Sequence, residues 1–518
     1  MELTLTYQTG TQIAVQCDGQ SSHTFDLLTL APDPALPGRP PQPLLDPVAY
    51  GTALYAALFP PQSLAAQALA AGPERLLLVT DEQTDVVPWE FLHGPDGFLV
   101  LDLPLVRGLP PDKRIAPPAL TAGLHIVAVP SNPLDPGVVP LNIDGEWQRL
   151  KEVIQPVPAA LTLERTRPAT LEQLRRLVAG QQQRVVHFMG HGGTGDQGAI
   201  LLFEQIDGGL APITAKDFLR RTRGTTFLVT LNACVSALPG ETAFANLAAA
   251  LVRQGTPYAL GMRFSVADSD ARTLSRVFYS ELARGSSVDE AVWQARLELA
   301  NSPQSWAVGV PVLYTALTAP ASGFAQVAGQ PSIHEHQPPL DLLALPRAEG
   351  TFQGRQDELR HLGGRLTGDN RPRLLTIHGS GGQGKTALAR EAVERVAHAF
   401  PGGVVAVSLE NLPGREQVVV SLARFLGIDT ETIADPAELE RQVHTRLGQQ
   451  RTLLALDNAE TLAQAAQAND AEAQQVAEFF REHLPATATL LATSREFLGW
   501  GGEEHLPLGG LDDTVRVE

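Results

Sequence analysis

The sequence predicts an α/β protein of two successive segments, each built from apolar strands that alternate with amphipathic helices. The alternation is clear from about residue 121, and it resumes after a proline-rich stretch at 319–348. A chain of 518 residues is also longer than one ordinary hydrophobic core organises. Apolar strands separated by helices indicate parallel or mixed sheets covered by helices on both faces.

The first segment begins with a β-rich part at 1–120, where residues 1–30 alternate between apolar and polar side chains, as half-buried strands do. An alanine-rich helix is predicted over 49–70. The main α/β domain is predicted over 121–318 as a mixed or parallel sheet sandwiched by helices. Its predicted strands are 124–129, 184–189, 225–231 and 258–264, and its predicted helices are 169–178, 214–221, 241–253, 268–283 and 287–300.

The stretch 319–348 is rich in proline and has little periodicity, so we predict a linker there. The second α/β domain is predicted over 349–518. Its strands are expected at 374–378, 452–457 and 490–493, with a helix over 387–396 directly after the first strand.

Composition excludes several classes of protein. A net charge of −18 disfavours a nucleic-acid-binding surface, which needs a basic footprint. The two cysteines, Cys17 and Cys234, cannot form a disulfide framework and fit a reducing compartment. No signal-peptide pattern and no long apolar run is visible. We therefore expect a cytoplasmic protein with no membrane and no nucleic-acid partner.

Two predicted neighbouring strands each lead to a reactive residue, His191 after 184–189 and Cys234 after 225–231. In parallel sheets, ligands bind at the carboxyl ends of the strands. An imidazole and a thiol placed there can act as general base and nucleophile, and the backbone N–H groups of Gly192 and Cys234 can stabilise an oxyanion. The structural alternative is an inert buried cysteine beside an ordinary His-Gly pair.

Other candidates near these strands have competing interpretations. His187 lies inside the apolar run and is expected to be a hydrogen-bonded histidine of the core or one that supports the site, the alternative being a direct role. Asp268 and Asp270 either line a pocket for a basic side chain or begin the following helix, where aspartate is favoured. The second interpretation is preferred. Cys17 is expected to be a plain small residue.

The second domain carries a complete P-loop pattern between the predicted strand 374–378 and the helix 387–396. Its glycines let backbone N–H groups wrap phosphates, Lys385 reaches the β- and γ-phosphates, and the Thr386 hydroxyl ligates Mg²⁺. Asp457 ends a strand and suits the metal shell. Glu460 polarises water, acts as a cap or faces solvent, and Arg495 either senses the γ-phosphate or pairs with a surface acid. The pattern reads Gly379-Ser380-Gly381-Gly382-Gln383-Gly384-Lys385-Thr386.

Residues 1–318 resemble CHAT domains, the caspase-like cysteine peptidases related to separase. The resemblance rests on the segments around His191 and Cys234, on 88–92, 98–107 and 131–133, and on 251–268 with the aromatic and small residues that follow. It implies that Cys234 is the nucleophile, that His191 is the general base and that the substrate is a protein. One departure is 235–237, where many members place a small hydroxylic residue and a glycine.

The second domain resembles the STAND class of P-loop NTPases, which includes NB-ARC and NACHT switches, from the leader 352–359 to 506–511. This implies ATP or ADP with Mg²⁺, slow hydrolysis and homo-oligomerisation on activation, and the domain is expected to be truncated at its carboxyl end. By analogy, the role is bacterial defence or stress signalling. The alternative is a catalytically silent scaffold in which the nucleotide switch recruits partners.

Overall fold

A computed structural model describes most of the chain. The described residues are 1–9, 11–27, 46–180, 183–196, 198–222, 224–232, 243–264, 267–303, 305–347, 352 and 354–510.

The chain divides into two compact units. The first comprises Met1–Asn132, Leu141–Phe203 and Ala211–Glu335. The second comprises His336–Glu518 together with two short segments from the earlier part of the chain, Pro133–Pro140 and Glu204–Leu210.

The helices of the first unit begin with α1, whose first turn is capped by the Asp46 carboxylate accepting from the Ala49 N–H. They are α1 (Pro47–Leu58), α2 (Leu64–Ala70), α3 (Leu99–Asp102), α4 (Ile143–Ile154), α5 (Leu171–Val178), α6 (Ala215–Thr222), α7 (Ala243–Arg253), α8 (Asp268–Ala283) and α9 (Val288–Leu299). The strands are β1 (Glu2–Tyr7), β2 (Gln12–Cys17), β3 (Gln20–Asp26), β4 (Leu76–Thr80), β5 (His93–Gly94), β6 (Gly97–Phe98), β7 (Leu105–Gly108), β8 (His125–Pro130), β9 (Thr162–Arg165), β10 (Arg184–Met189), β11 (Gly192–Gly195), β12 (Gly198–Glu204), β13 (Leu210–Thr214), β14 (Thr226–Asn232), β15 (Tyr258–Met262), β16 (Pro311–Thr315) and β17 (Ser332–His334).

Within the described residues, the first unit is organised around a mixed sheet in the order β17-β9-β8-β10-β14-β15-β16-β7-β4-β1-β2-β3. Strands β8, β10, β14 and β15 run parallel, whereas β16 is antiparallel to β15. Alternate side chains of β10 enter two cores. Val185 and Met189 pack with α4 and α8, and Val186 and Phe188 pack with α5, α6 and α7. The central strands are therefore buried on both faces, which explains their continuous apolar sequences.

A separate antiparallel sheet, β11-β12-β13, follows β10 directly. Leu201 and Phe203 of β12 are buried in the same core as α5, α6 and α7. This sheet is absent from the sequence-based prediction, although the apolar run at 200–203 is a signal for it.

In the second unit, the helices are α10 (Gln356–Thr367), α11 (Lys385–Val396), α12 (Arg415–Phe425), α13 (Pro436–Gln449), α14 (Ala459–Gln467) and α15 (Ala471–Glu482), and the strands are β18 (Leu340–Asp341), β19 (Leu374–His378), β20 (Val404–Ser408), β21 (Thr452–Asp457), β22 (Ala488–Ser494) and β23 (Glu503–Pro507). The described strands form a parallel sheet in the order β18-β20-β21-β22-β19-β23. One face packs on α10 and α11, and the other packs on α12 to α15. The predicted fold class, a caspase-like mixed sheet followed by a P-loop α/β domain, is confirmed.

Two predictions of local structure need correction. The helix predicted over 49–70 is two helices, α1 and α2, because Pro60 and Pro61 lack the N–H groups that would continue the first. The predicted linker 319–348 contains β17 and β18, both at sheet edges, where proline-rich sequence is tolerated.

Among the described residues, no helix combines the length and apolar character that crossing a bilayer requires.

Candidate active site and nucleotide site

The carboxyl ends of β10 and β14 position the candidate peptidase residues. The two strands are parallel neighbours in which Met189 is paired with Asn232. His191 follows Met189 by two residues, and Cys234 follows Asn232 at the same offset. Cys234 itself lies outside the described residues.

His191 is held tightly by its surroundings, with only 6% of its surface exposed. Its carbonyl oxygen accepts from the Leu202 N–H of β12 at 3.0 Å, and the Ser131 hydroxyl donates to the Leu202 carbonyl at 2.7 Å. The Ser131 N–H in turn donates to the Met189 carbonyl at 2.7 Å. At Gly190, an added Cβ would lie 3.0 Å from the Ser131 carbonyl oxygen, so the tight bend before His191 favours glycine.

Gly192 is the predicted oxyanion-binding residue, and its pairing with β12 determines the direction of its N–H group. Residues of an antiparallel pair alternate between hydrogen-bonded and non-hydrogen-bonded positions. Since the Leu202 N–H bonds to the His191 carbonyl, the next pair, Gly192 with Leu201, is the non-hydrogen-bonded one. The Gly192 N–H therefore points away from β12. The oxyanion role remains a prediction.

His187 lies on the β10 face that packs against α8, four residues before His191. Its Nδ1 is 2.5 Å from the Tyr279 hydroxyl and 2.8 Å from the Thr230 hydroxyl. Burial lowers the pKa of His187 to about 4, so the imidazole is neutral at ordinary pH. This matches the expected hydrogen-bonded core histidine. A cavity of about 20 Å³ borders His187 and the described part of α8.

Asp268 and Asp270 stand at the start of α8, as the preferred interpretation expects. Asp270 is buried and accepts from the Ser302 hydroxyl at 2.8 Å. The Asp268 side chain is outside the described atoms. Cys17 is a buried residue of β2, remote in sequence from the candidate site.

In the second unit, the P-loop joins β19 to α11. Gly382 and Gly384 adopt left-handed φ values of +77° and +82°, and a Cβ on either would meet nothing within 4 Å. The space beside both Cα atoms is therefore open, and glycines in this left-handed conformation are typical of loops whose backbone N–H groups bind phosphates. At Gly379, by contrast, a Cβ would overlap the Gln383 side chain and approach the Leu508 carbonyl at 2.5 Å.

Lys385 is the first residue of α11, and its ammonium donates to the carbonyls of Gly379 and Ser380 at 2.8 and 2.9 Å. Partial burial lowers the pKa of Lys385, with a smaller contribution in the same direction from Arg495. A phosphate would replace these carbonyl contacts and favour the charged ammonium.

Asp457 ends β21 and connects the P-loop to β22. Its Oδ1 accepts from the Thr386 hydroxyl at 2.8 Å and from the Thr493 hydroxyl at 2.6 Å. Mg²⁺ prefers such oxygen ligands and usually completes its shell with waters and substrate phosphates. The donor set of Thr386 and Asp457 therefore fits a nucleotide-bound Mg²⁺. The metal role of both residues remains a prediction.

Glu460 and Arg495 meet beside this site. The Arg495 Nε lies 3.2 Å from Glu460 Oε1, and 67% of the Arg495 side chain is exposed. Glu460 is buried, and its Oε2 makes no hydrogen bond within the described part of the chain. An unbonded carboxylate oxygen at this place fits the water-polarising interpretation of Glu460.

Two family models match the chain. The CHAT domain model matches residues 48–338, more than half of the sequence. The chain belongs to the CHAT-domain family. The NB-ARC domain model matches residues 355–471. The protein thus combines a CHAT caspase-like protease domain with an NB-ARC P-loop NTPase domain, and the latter implies nucleotide binding, typically with Mg²⁺.

Solved structures give weaker likenesses. ORC1 of Aeropyrum pernix bound to DNA is 19% identical over 32% of this chain and 47% of that one, with a TM-score of 0.25. Cdc6p of Pyrobaculum aerophilum is 17% identical over 30% and 43%, with a TM-score of 0.22. The separase–securin complex of Saccharomyces cerevisiae is 18% identical over 48% and 16%, with a TM-score of 0.29. The chain spans less than half of each, and such low scores carry no functional conclusion. No curated protein matches the sequence.

The CHAT domain also contains a buried charge network that sequence reasoning missed. Arg107 is fully buried and donates to both oxygens of Glu90, at 2.8 and 2.6 Å, and to Asp85 Oδ1 at 3.1 Å. Arg263, the residue after β15, donates to the backbone carbonyls of Asp85 and Val86 at 3.0 and 2.9 Å. This network anchors the chain at the end of a strand that neighbours β14. The sequence did contain a signal for this network, because Arg107 and Arg263 are charged residues within apolar runs.

Proposed function

We propose that this protein is a nucleotide-regulated cysteine endopeptidase. Cys234 is the nucleophile and His191 the general base. ATP with Mg²⁺ binds the NB-ARC domain and controls oligomerisation and peptidase activation. The observation that carries the proposal is the parallel pairing of β10 with β14, whose last pair is Met189 with Asn232. His191 follows the first of these residues by two positions, and Cys234 follows the second by two positions.

In the proposed reaction, His191 takes the proton of the Cys234 thiol and the thiolate attacks the carbonyl carbon of a peptide bond. The Gly192 N–H donates to the oxyanion that forms. The C–N bond breaks as His191 returns its proton to the leaving amine. Water, deprotonated by His191, then hydrolyses the thioester and releases the acid product with the free thiol.

The nucleotide part of the proposal is supported by the P-loop geometry. Lys385 and the loop N–H groups bind the phosphates, and Thr386 and Asp457 orient the metal shell. Mg²⁺ held beside Thr386 and Asp457 would neutralise part of the phosphate charge. Glu460 holds a water near the γ-phosphate, and Arg495 contacts that phosphate. Slow hydrolysis suffices for a switch.

A cytoplasmic role in bacterial defence or stress signalling, with a protein substrate, is supported only by analogy with the families.

The peptidase claim is tested by incubating a diverse peptide library with the wild-type protein and with Cys234→Ala and His191→Ala in the presence of ATP and Mg²⁺. We expect cleavage by the wild type alone. Equal background cleavage in all three proteins would refute the peptidase and favour the silent scaffold. Thermal melting of each variant serves as the folding control.

A further inference from the structure

We propose that helix α10 of the NB-ARC domain controls the position of His191 through two short segments, Pro133–Pro140 and Glu204–Leu210. This inference rests on the proposed function and names the structural route of its regulation. The two segments belong to the compact unit of the P-loop, although the residues on either side of each belong to the unit of His191.

The two segments are joined to each other. The Leu134 N–H donates to the Gly208 carbonyl at 2.8 Å, and Leu134 forms a parallel bridge with Gly209. The turn at 204–210 is closed by the Gln205 N–H, which donates to the Gly209 carbonyl at 2.7 Å. They therefore form one small structural piece.

This piece packs on α10. Leu134 is 95% buried in the apolar cluster that contains Leu359, Leu362 and Leu366 of α10. The Gln356 amide at the start of the helix donates to the Val138 carbonyl at 3.4 Å. At Gly363, the helix approaches the turn so closely that an added Cβ would overlap the carbonyl oxygen of Asp207.

Helix α10 is connected to the nucleotide site through the same apolar cluster. Its leucines share their cluster with Leu388 and Ala392 of α11, the helix that begins at Lys385. Arg355, which precedes α10 in a left-handed conformation, donates to the Gly509 carbonyl at 2.6 Å. A change at the P-loop that shifts α11 or the residues after β23 therefore acts on α10.

The same piece is connected to the residues that bind His191 by only a few residues of backbone. Glu204 follows Phe203 in β12, and Leu202 of that strand binds the His191 carbonyl. Leu134 follows Ser131 by three residues, and Ser131 binds both Leu202 and Met189. A displacement of the turn at 204–210 along β12 would therefore move the backbone of His191.

Two adjacent glycines of α10 give a matched test. Gly363→Ala introduces a Cβ against the Asp207 carbonyl, whereas Gly364→Ala places its Cβ where nothing lies within 4 Å. Both changes favour the helix to the same degree. Hydrogen–deuterium exchange of peptides spanning 190–204 is measured with and without ATP and Mg²⁺, together with ATP affinity.

We expect the wild type and Gly364→Ala to show a nucleotide-dependent change in exchange over 190–204. Gly363→Ala should bind ATP with unchanged affinity and lose that change. Retention of the change in Gly363→Ala, its loss in both variants, or its absence from the wild type would overturn the inference. Leu134→Ala, which removes a buried side chain from the apolar cluster shared with α10, is the second variant and should behave like Gly363→Ala.

The readout is independent of cleavage. If exchange over 190–204 follows nucleotide in the predicted way while no peptide is cut, the peptidase fails and the route survives. If peptides are cut in an ATP-dependent way but Gly363→Ala is regulated like the wild type, the route fails and the peptidase survives.

Discussion

The hydroxyl of Thr386 donates a hydrogen bond of 2.8 Å to the carboxylate of Asp457. The contact joins the first turn of α11 to the end of β21, two elements that are far apart in sequence. The same carboxylate also accepts from the Thr493 hydroxyl of β22. A metal or nucleotide that moves Asp457 therefore changes the hydrogen bonding of β22 as well. The P-loop, β21 and β22 are therefore one hydrogen-bonded group.

The first prediction concerns the metal. Asp457→Asn should remove the Mg²⁺-dependent enhancement of ATP affinity, because a neutral amide is a poor ligand for this cation. Affinity in EDTA should change little, since Lys385 and the P-loop remain. Titration of a fluorescent ATP analogue with Mg²⁺ or EDTA measures both values.

Asp470→Asn is the matched control for that experiment. Asp470 caps α15 by accepting from the Ala473 N–H, and asparagine caps as well as aspartate. Its nucleotide affinity should equal that of the wild type. A Mg²⁺ enhancement that survives Asp457→Asn would exclude Asp457 from the metal shell.

The second prediction concerns the buried ion pair of the CHAT domain. Arg107→Met leaves Glu90 buried without a partner, so the unit should lose about 3–5 kcal/mol of unfolding free energy at pH 7. Arg175→Met, which breaks an exposed pair with Glu172, should cost far less, because water and salt screen exposed charges. Urea denaturation of both variants measures the difference.

The pH dependence of that loss has a definite sign. Burial alone would raise the pKa of Glu90, but the Arg107 guanidinium outweighs it and holds the pKa below its usual value. The wild type therefore has this stabilisation at neutral pH and loses it as the pH falls through the lowered pKa. In Arg107→Met the buried carboxyl protonates readily, so the difference between the two proteins should shrink as pH falls. A difference that is constant with pH would contradict the pairing.

The third prediction concerns His187. Its pKa is lowered to about 4 by burial, whereas the unfolded chain titrates near the ordinary histidine value. Between these two pKa values the unfolded state binds more protons than the folded state. The contribution of neutral His187 to the free energy of unfolding is therefore complete above the ordinary histidine pKa and falls as the pH is lowered towards 4. Relative to pH 7, His187 should account for about 2 kcal/mol of lost stability at pH 5. Urea denaturation of wild type and His187→Gln at both pH values tests this, and equal losses would contradict a neutral buried imidazole.

Sequence reasoning succeeded where the information is contiguous. The P-loop residues 379–386 carry their own glycine, lysine and threonine pattern, and the strands 184–189 and 374–378 are unbroken apolar runs between loops. The fold class follows from such local patterns, and both domain families are identified by the resemblance of several motifs along each segment. The roles of His191, Gly192 and Cys234 remain predictions.

It failed where the structure depends on distant pairing. Leu134 contacts Gly208, and Arg107 contacts Glu90. Neither pair of residues is spaced by a helical or strand repeat, so no periodic pattern in the sequence indicates the contact. The sheet β11-β12-β13 was missed because Gly192 to Gly195 have little strand propensity of their own, and pairing with the apolar β12 outweighs it. The close approach of the Asp207 carbonyl to Gly363 could not be predicted from the sequence either.

The central claim is that nucleotide bound at Lys385 controls a peptidase centred on His191 and Cys234. The most direct measurement is peptide cleavage with and without ATP and Mg²⁺ by wild type, Cys234→Ala and Lys385→Ala. Loss of the Lys385 ammonium should weaken ATP binding about 10- to 100-fold, the effect of one charge-assisted hydrogen bond. The account predicts ATP-stimulated cleavage by the wild type, none by Cys234→Ala and no stimulation of Lys385→Ala. Cleavage that survives Cys234→Ala, or equal stimulation of Lys385→Ala under subsaturating ATP, would contradict it.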